Sequence, residues 1–244
     1  MSNTLSVERS PALDRQHRQS LAVTAMSSDR RGKTDRLERA SVRRFQSKEH
    51  IFCEGDARTH VFQIEDGVVT IYQMLNDGRR QIVDFAYPGD FIGLGTAGEH
   101  LFSAEATSST RVRCFSASAL EETARNDPSL ALQLYKAVSL ELSAARALLV
   151  AIGQRSAIER VSTFLLMLHG RTAAAKDCDS VTNVVPLPMR RADIGDFLGL
   201  TIETVSRTIT KLRLMRVIEV SHGTGIRIMD VDRLADLSER QACH

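Results

Sequence analysis

The chain has 244 residues, 43% of them hydrophobic and 25% charged, with a formal net charge of +2 at pH 7. That length and apolar content suffice for about two domains with cores of their own. No apolar run nears the roughly 18 residues a membrane span needs, no apolar segment follows the first charges as in a signal peptide, and four scattered cysteines make no disulfide framework, so a cytoplasmic protein without membrane contact is expected.

The near-neutral total hides an uneven distribution. Residues 1–50 carry 11 Lys+Arg against 6 Asp+Glu, residues 51–154 carry 8 against 13, and residues 155–244 carry 13 against 11. Residues 1–35 are polar, arginine-containing and without sustained periodicity, which predicts a mobile tail. From Ser41 the texture becomes short β-type runs: Ile51-Phe52, Val61 to Ile64, Val68 to Tyr72, Gln81 to Phe85 and Arg111 to Phe115. Turn signals at Gly55, Gly67, Asn76-Asp77-Gly78 and Pro88-Gly89-Asp90 separate them, a cadence that suggests an antiparallel barrel or sandwich.

Asp127-Pro128 then supplies an acidic cap and an N1 proline, a strong signal for a helix start. Leu134, Val138, Glu141, Ala145, Leu148 and Ile152 follow in alternating steps of four and three, a mostly apolar seam that one partner helix could cover, and Gly153 ends the pattern as a hinge would. The other reading is a helix folded against its own domain. Cys178, in the polar connector Lys176-Asp-Cys-Asp-Ser180, is the cysteine to test for oxidation, although its flanking aspartates disfavour a thiolate.

Arg191 to Leu198 has apolar residues at helical spacing, Gly199-Leu200-Thr201 supplies a tight turn, and Thr201 is a plausible N-cap for a second helix. In that second helix Val205, Ile209 and Leu212 form an apolar face, while Glu203, Ser206 and Arg207 share the other. An Arg guanidinium forks onto guanine O6 and N7, and a carboxylate accepts from cytosine N4. A small hydroxyl reaches a base edge or a thymine methyl. The plain alternative is an exposed i,i+4 ion pair between Glu203 and Arg207. Lys211, Arg213 and Arg216 form a cationic edge suited to phosphates, and equally one that complements the helix dipole. Val217 to Val220 and Ile226 to Ile228 flank Ser221-His-Gly-Thr-Gly225 as a hairpin wing, whose His222 has no second ligand at zinc spacing.

The run from Ala192 to Arg207 resembles the winged helix-turn-helix of the CRP/FNR superfamily of bacterial transcription regulators, in the FixK and FNR branch with its E-x-x-S-R recognition helix. The strand order and Gly89-Asp-Phe-Ile-Gly93 resemble that superfamily's sensor roll. The resemblance implies an α+β fold: a mobile polar tail over 1–35, a cyclic-nucleotide-binding-like β-roll (jelly-roll) over 36–126, a dimerisation helix over 127–153, a winged helix-turn-helix over 154–231, and a C-terminal tail over 232–244. It implies a homodimer held by Leu134, Val138, Ala145, Leu148 and Ile152. On double-stranded DNA it implies base reading by Glu203, Ser206 and Arg207, with Thr201, Thr204, Lys211 and Arg213 on the backbone or in support. The operator would be an inverted repeat of TTGA-type half-sites. RNA polymerase enters as a partner through the family's activators, and low-oxygen or nitrogen-fixation and denitrification genes as the implied targets.

Departures from the family pattern matter as much. Relatives that bind cyclic nucleotides hold the phosphate with an Arg beside a Ser or Thr, and here Phe102 stands before Ser103, with Glu105 nearby. An apolar ring cannot replace that guanidinium, so cyclic-nucleotide binding is not expected. With no cysteine before Cys53, and Cys114, Cys178 and Cys243 far apart, an iron-sulfur set is not expected either, and no cofactor is assigned. The redox-sensitive cysteine of some FixK-like relatives has Arg190, and no thiol, in its neighbourhood here. A haem- or gas-dependent regulator using His50, His60 or His100 remains the alternative of the same class. An enzyme finds no nucleophile elbow, H-E-x-x-H or Walker loop.

Overall fold

Strands with one face apolar must bury that face, and here two sheets bury theirs against each other. The computed structural model describes residues 40–95, 98–175, 184–221 and 225–239. The expected tail over 1–35, Cys178 and His222 lie outside the described residues. Among the described residues, eight strands precede the first helix: β1 (Ser41–Phe45), β2 (His50–Phe52), β3 (His60–Asp66), β4 (Val69–Met74), β5 (Arg80–Ala86), β6 (Phe91–Ile92), β7 (Ser103–Ala106) and β8 (Thr110–Ser116). They form two antiparallel four-stranded sheets, ordered β1-β8-β3-β6 and β2-β7-β4-β5. Phe62, Ile64, Val112 and Cys114 of one sheet meet Phe52, Val69, Ala104 and Ala106 of the other. Strand β7 was not expected, because Ser-Ala-Glu-Ala has poor β propensity; its place between β2 and β4 overrides that preference.

Helix α1 (Ala117–Asn126) leads into α2 (Pro128–Gln154), whose 27 residues form the longest element among the described residues. The Asp127 carboxylate accepts from the Ser129 and Leu130 amides, with proline at the start, as the sequence suggested. Gly153 does not end the helix, which runs on to Gln154.

Of the seam residues expected on α2, Leu134, Leu148 and Ile152 are half-buried within the chain itself, while Val138, Glu141 and Ala145 are exposed. Leu134 packs against Phe115, Leu120 and Leu130 of its own chain, and Leu148 packs against the core of the C-terminal half. Tyr135, Val138, Leu142, Ala145 and Leu149 form one outward row, again in steps of three and four, and Leu132, Leu140 and Val150 are exposed beside it. The 3.5-residue repeat admits both registers, and the choice is made by which side the roll covers. By length and composition α2 could also cross a membrane, which the sequence reading did not anticipate. It carries Lys136, Glu141 and Arg146 along its middle.

Beyond the extended residue Arg155 come α3 (Ala157–Ala175), β9 (Val184–Pro186), α4 (Arg191–Leu198), α5 (Ile202–Leu214), β10 (Ile218–Ser221), β11 (Gly225–Ile228) and α6 (Val231–Glu239). The hairpin wing gains β9 as a third strand, in the order β10-β11-β9. The segment expected as a C-terminal tail opens with α6, which buries Leu234 and Leu237 and packs against α3. Phe164, Leu165, Phe197, Val205, Ile209, Leu212 and Leu234 build the core of this half, and it continues without a break into Val68, Tyr72, Ile82 and Phe85 of the roll. Phe85 lies 5.2 Å from Phe197 and 6.2 Å from Phe164, ring centre to ring centre.

Candidate nucleic-acid interface

Two glycines make the turn between α4 and α5 possible. Gly199 adopts φ 63°, the left-handed conformation that ends α4, and the Leu200 amide donates to the Gly195 carbonyl. A Cβ on Gly195 would stand 2.6 Å from the Leu200 oxygen, so no side chain fits there. Thr201 then caps α5: its hydroxyl accepts from the Thr204 amide at 3.2 Å and meets the Thr204 hydroxyl at 3.0 Å. The Thr204 side chain is thereby tied to the cap rather than offered to a ligand.

Along α5, Val205, Ile209 and Leu212 are buried, and Glu203, Ser206 and Arg207 are exposed on the opposite side. Among the described residues, the ion pairs include none between Glu203 and Arg207, and neither side chain has another hydrogen-bond partner. The bland surface pair is therefore not formed, and both heads are free to meet a ligand. Lys211 and Arg213 are exposed in the last turn. Arg216 follows in a left-handed conformation, φ 57°. In the wing, Arg227 faces Glu219 at 3.7 Å with both side chains open to solvent.

One residue of this face escaped the sequence reading. Thr210 is exposed, three residues after Arg207 and seven after Glu203, and its hydroxyl donates to the Ser206 carbonyl. The helical period that placed Ser206 would have found it. Ile202, 46% exposed at the first helical position, presents an apolar group beside Glu203.

In the roll, Phe102 sits at the surface, and the Ser103 hydroxyl is occupied in accepting from the Glu54 amide at 3.0 Å. Glu105 points toward Arg80 at 4.0 Å and His50 at 3.9 Å. A carboxylate at this place opposes a phosphate. The three histidines go separate ways. His50 meets the Tyr72 hydroxyl at 2.8 Å, and His60 meets that of Thr59. His100 is buried against Phe52 with ring centres 3.8 Å apart, and burial pushes its pKa down. Among the described residues no group of three or more His, Cys, Asp or Glu side chains converges as metal ligands would.

Comparison with known proteins bears on both halves. Residues 159–237 match the family model described as a Crp-like helix-turn-helix domain, and residues 42–127 match that of a cyclic nucleotide-binding domain. The nitrogen fixation regulation protein FixK of Bradyrhizobium diazoefficiens is 43% identical over 194 residues, which cover 80% of either chain. The transcriptional activatory protein AadR of Rhodopseudomonas palustris is 38% identical over 195 residues, again 80% of each. Among solved structures, FixK2 from Bradyrhizobium japonicum superposes with a TM-score of 0.76 at 36% identity, covering 83% of this chain and 99% of that one.

Proposed function

The chain belongs to the CRP/FNR family as a DNA-binding transcription regulator of the FixK/FNR type, and from that premise we propose that it reads an inverted repeat of TTGA-type half-sites as a homodimer, through Glu203, Ser206 and Arg207. The observation that carries this reading is the face of α5 on which these three side chains stand exposed, with no ion pair between Glu203 and Arg207, while Val205, Ile209 and Leu212 anchor the opposite side. A helix of 13 residues is about 20 Å long, which suits a major groove about 12 Å wide when its first two turns enter. Arg207 forks onto the guanine of TTGA, and Glu203 accepts from the cytosine amine opposite. Lys211 and Arg213 neutralise phosphates, while Thr201 and Thr204 hold the start of the helix in shape.

Dimerisation puts two such helices about one turn of DNA apart, roughly 34 Å, and the outward apolar row on α2 supplies the surface for it. A second copy of α2 accounts for that row better than a lipid bilayer does, because Lys136, Glu141 and Arg146 place three charges along the helix, with Arg146 one turn after Leu142 and so beside the row itself. The regulator is cytoplasmic, acts as an activator in contact with RNA polymerase, and serves low-oxygen or nitrogen-fixation genes. Those three statements rest on likeness to the FixK proteins. No enzymatic step is assigned to it.

The test is titration of the purified protein into a labelled duplex carrying the inverted repeat, beside duplexes with one half-site scrambled or both. Two protomers per duplex and a steep loss of affinity with each scrambled half-site are expected. Equal affinity for all three duplexes would refute the reading.

A further inference from the structure

The reading helix hangs from α4 by a three-residue turn, and α4 is gripped from two directions by arginines outside it. On one side Arg80 of β5 reaches across from the roll. Its guanidinium pairs with Asp193, lies 3.5 Å from Asp196, and stacks over the Tyr72 ring at 5.4 Å. The neighbouring Gln81 amide donates to the Asp196 carbonyl at 2.6 Å. On the other side Arg160 of α3 spends its whole guanidinium on backbone oxygens. Nε donates to Arg155, Nη2 to Ile152 at 2.7 Å, and Nη1 to Leu198 at 3.0 Å and Gly199 at 3.4 Å. One side chain thus caps the C-terminal carbonyls of α2 and of α4 together, where the helix dipoles favour a cation.

We propose that Arg80 and Arg160 are positioning residues for DNA recognition: they hold α4, and through its turn α5, at a set angle to the roll and to α2, and so determine which spacing of half-sites the protein accepts. The inference rests on the reading of the protein as a dimer on an inverted repeat. Neither arginine lies on the exposed face of α5, so neither has a base to read. Both act on where the reader stands. Adding one base pair between half-sites moves one of them about 3.4 Å along the duplex and about 35° around it. A head fixed at both ends of α4 cannot follow that displacement, whereas a loosened head can.

Removing Arg80 leaves α4 intact, because Asp193 keeps its capping partner Arg190, whose amide donates to it at 2.8 Å and whose side chain donates at 3.1 Å. The experiment uses the full-length protein and its Arg80→Met, Arg80→Lys and Arg160→Met variants. Each is titrated into duplexes with TTGA half-sites at the preferred spacing and at one and two base pairs more or less. The wild-type protein should show a sharp optimum. In Arg80→Met and Arg160→Met the ratio of affinities between best and displaced spacings should shrink, roughly 3- to 30-fold. Discrimination at the guanine pair should stay as in the wild type, and Arg80→Lys, which keeps a cation for Asp193, should restore much of the spacing preference.

If Arg160→Met melts below the assay temperature, the two Arg80 variants decide the matter alone. A wild-type optimum that both Met variants retain overturns the proposal. Tighter binding by the variants at every spacing also overturns it, since the arginines would then restrain the head from DNA rather than aim it. A wild-type protein indifferent to spacing sinks instead the underlying reading of a dimer on an inverted repeat.

Discussion

Arg207 and Lys211 stand one turn apart on α5, yet their removal should have different consequences, because the proposed reading gives one a base edge and the other a phosphate. Arg207→Ala should cost roughly 1–3 kcal/mol per half-site and relax preference at the guanine pair alone. Lys211→Ala should weaken all sequences alike and reduce the salt slope by about one counterion. Binding curves for both variants on operators substituted at that pair, over a salt series, tell the two roles apart. Full discrimination kept by Arg207→Ala would mean that α5 does not read in this register. A second residue-scale expectation concerns the roll. With Phe102 at the surface and Glu105 turned toward Arg80, cyclic AMP should leave operator binding unchanged, and a large stimulation would contradict this. Glu203, Ser206, Arg207 and the Thr201 cap could be located from spacing alone, since one helical period fixes them all. The grips of Arg80 and Arg160 could not, because their partners lie 113 and 38 residues away and no local pattern connects them.

At the scale of elements, α2 shows what periodicity can and cannot decide. Its start, at Asp127-Pro128, is local chemistry and could be read directly. Its facing could not, since Leu134 and Leu149 obey the same spacing rule and only the roll determines which of them turns inward. The two positions therefore predict opposite phenotypes. Leu149→Glu places a charge on the outward row, so the variant should stay folded, sediment as a monomer and bind full operators poorly. Leu134→Ala should remain dimeric and lose about 2 kcal/mol of stability, the low end for a leucine truncation, because Leu134 is only half-buried. Dimers surviving Leu149→Glu would place the interface elsewhere. Two strands are not legible in the sequence for different reasons: β7 has weak intrinsic preference, and β9 is only three residues long and ends on a proline despite its two valines.

At the scale of the whole molecule, a charged cluster lies where the roll meets α2 and α3. Arg171 donates to Asp90 at 2.6 Å and lies over the Tyr87 ring at 4.9 Å, with Asp84 and Glu141 close by. Burial pushes the Asp84 carboxyl up to about 7, against the pull of Arg171 and with Asp90 and Glu141 adding to the rise, while the Phe85 amide donates to it. A carboxyl raised in this way binds its proton more tightly folded than unfolded. Its contribution is present in full below the unfolded value, near 4, and is lost as pH climbs through about 7. Asp84→Asn should therefore raise the melting temperature more at pH 8 than at pH 5. An equal gain at both would show that Asp84 does not titrate there. The division into roll, helix and winged head could be read from strand cadence and the helix-turn-helix pattern. The unbroken core between roll and head could not, since Phe85, Phe164 and Phe197 meet only through tertiary folding. That shared aromatic packing bears on how such a regulator can be re-engineered. A head spliced at Gly153 onto a foreign roll would leave Phe164 and Phe197 facing a surface not shaped for them. Exchange of sensory modules within this lineage then requires the outer face of β4 and β5 to travel with the head, so the unit of inheritance is larger than the unit that touches DNA.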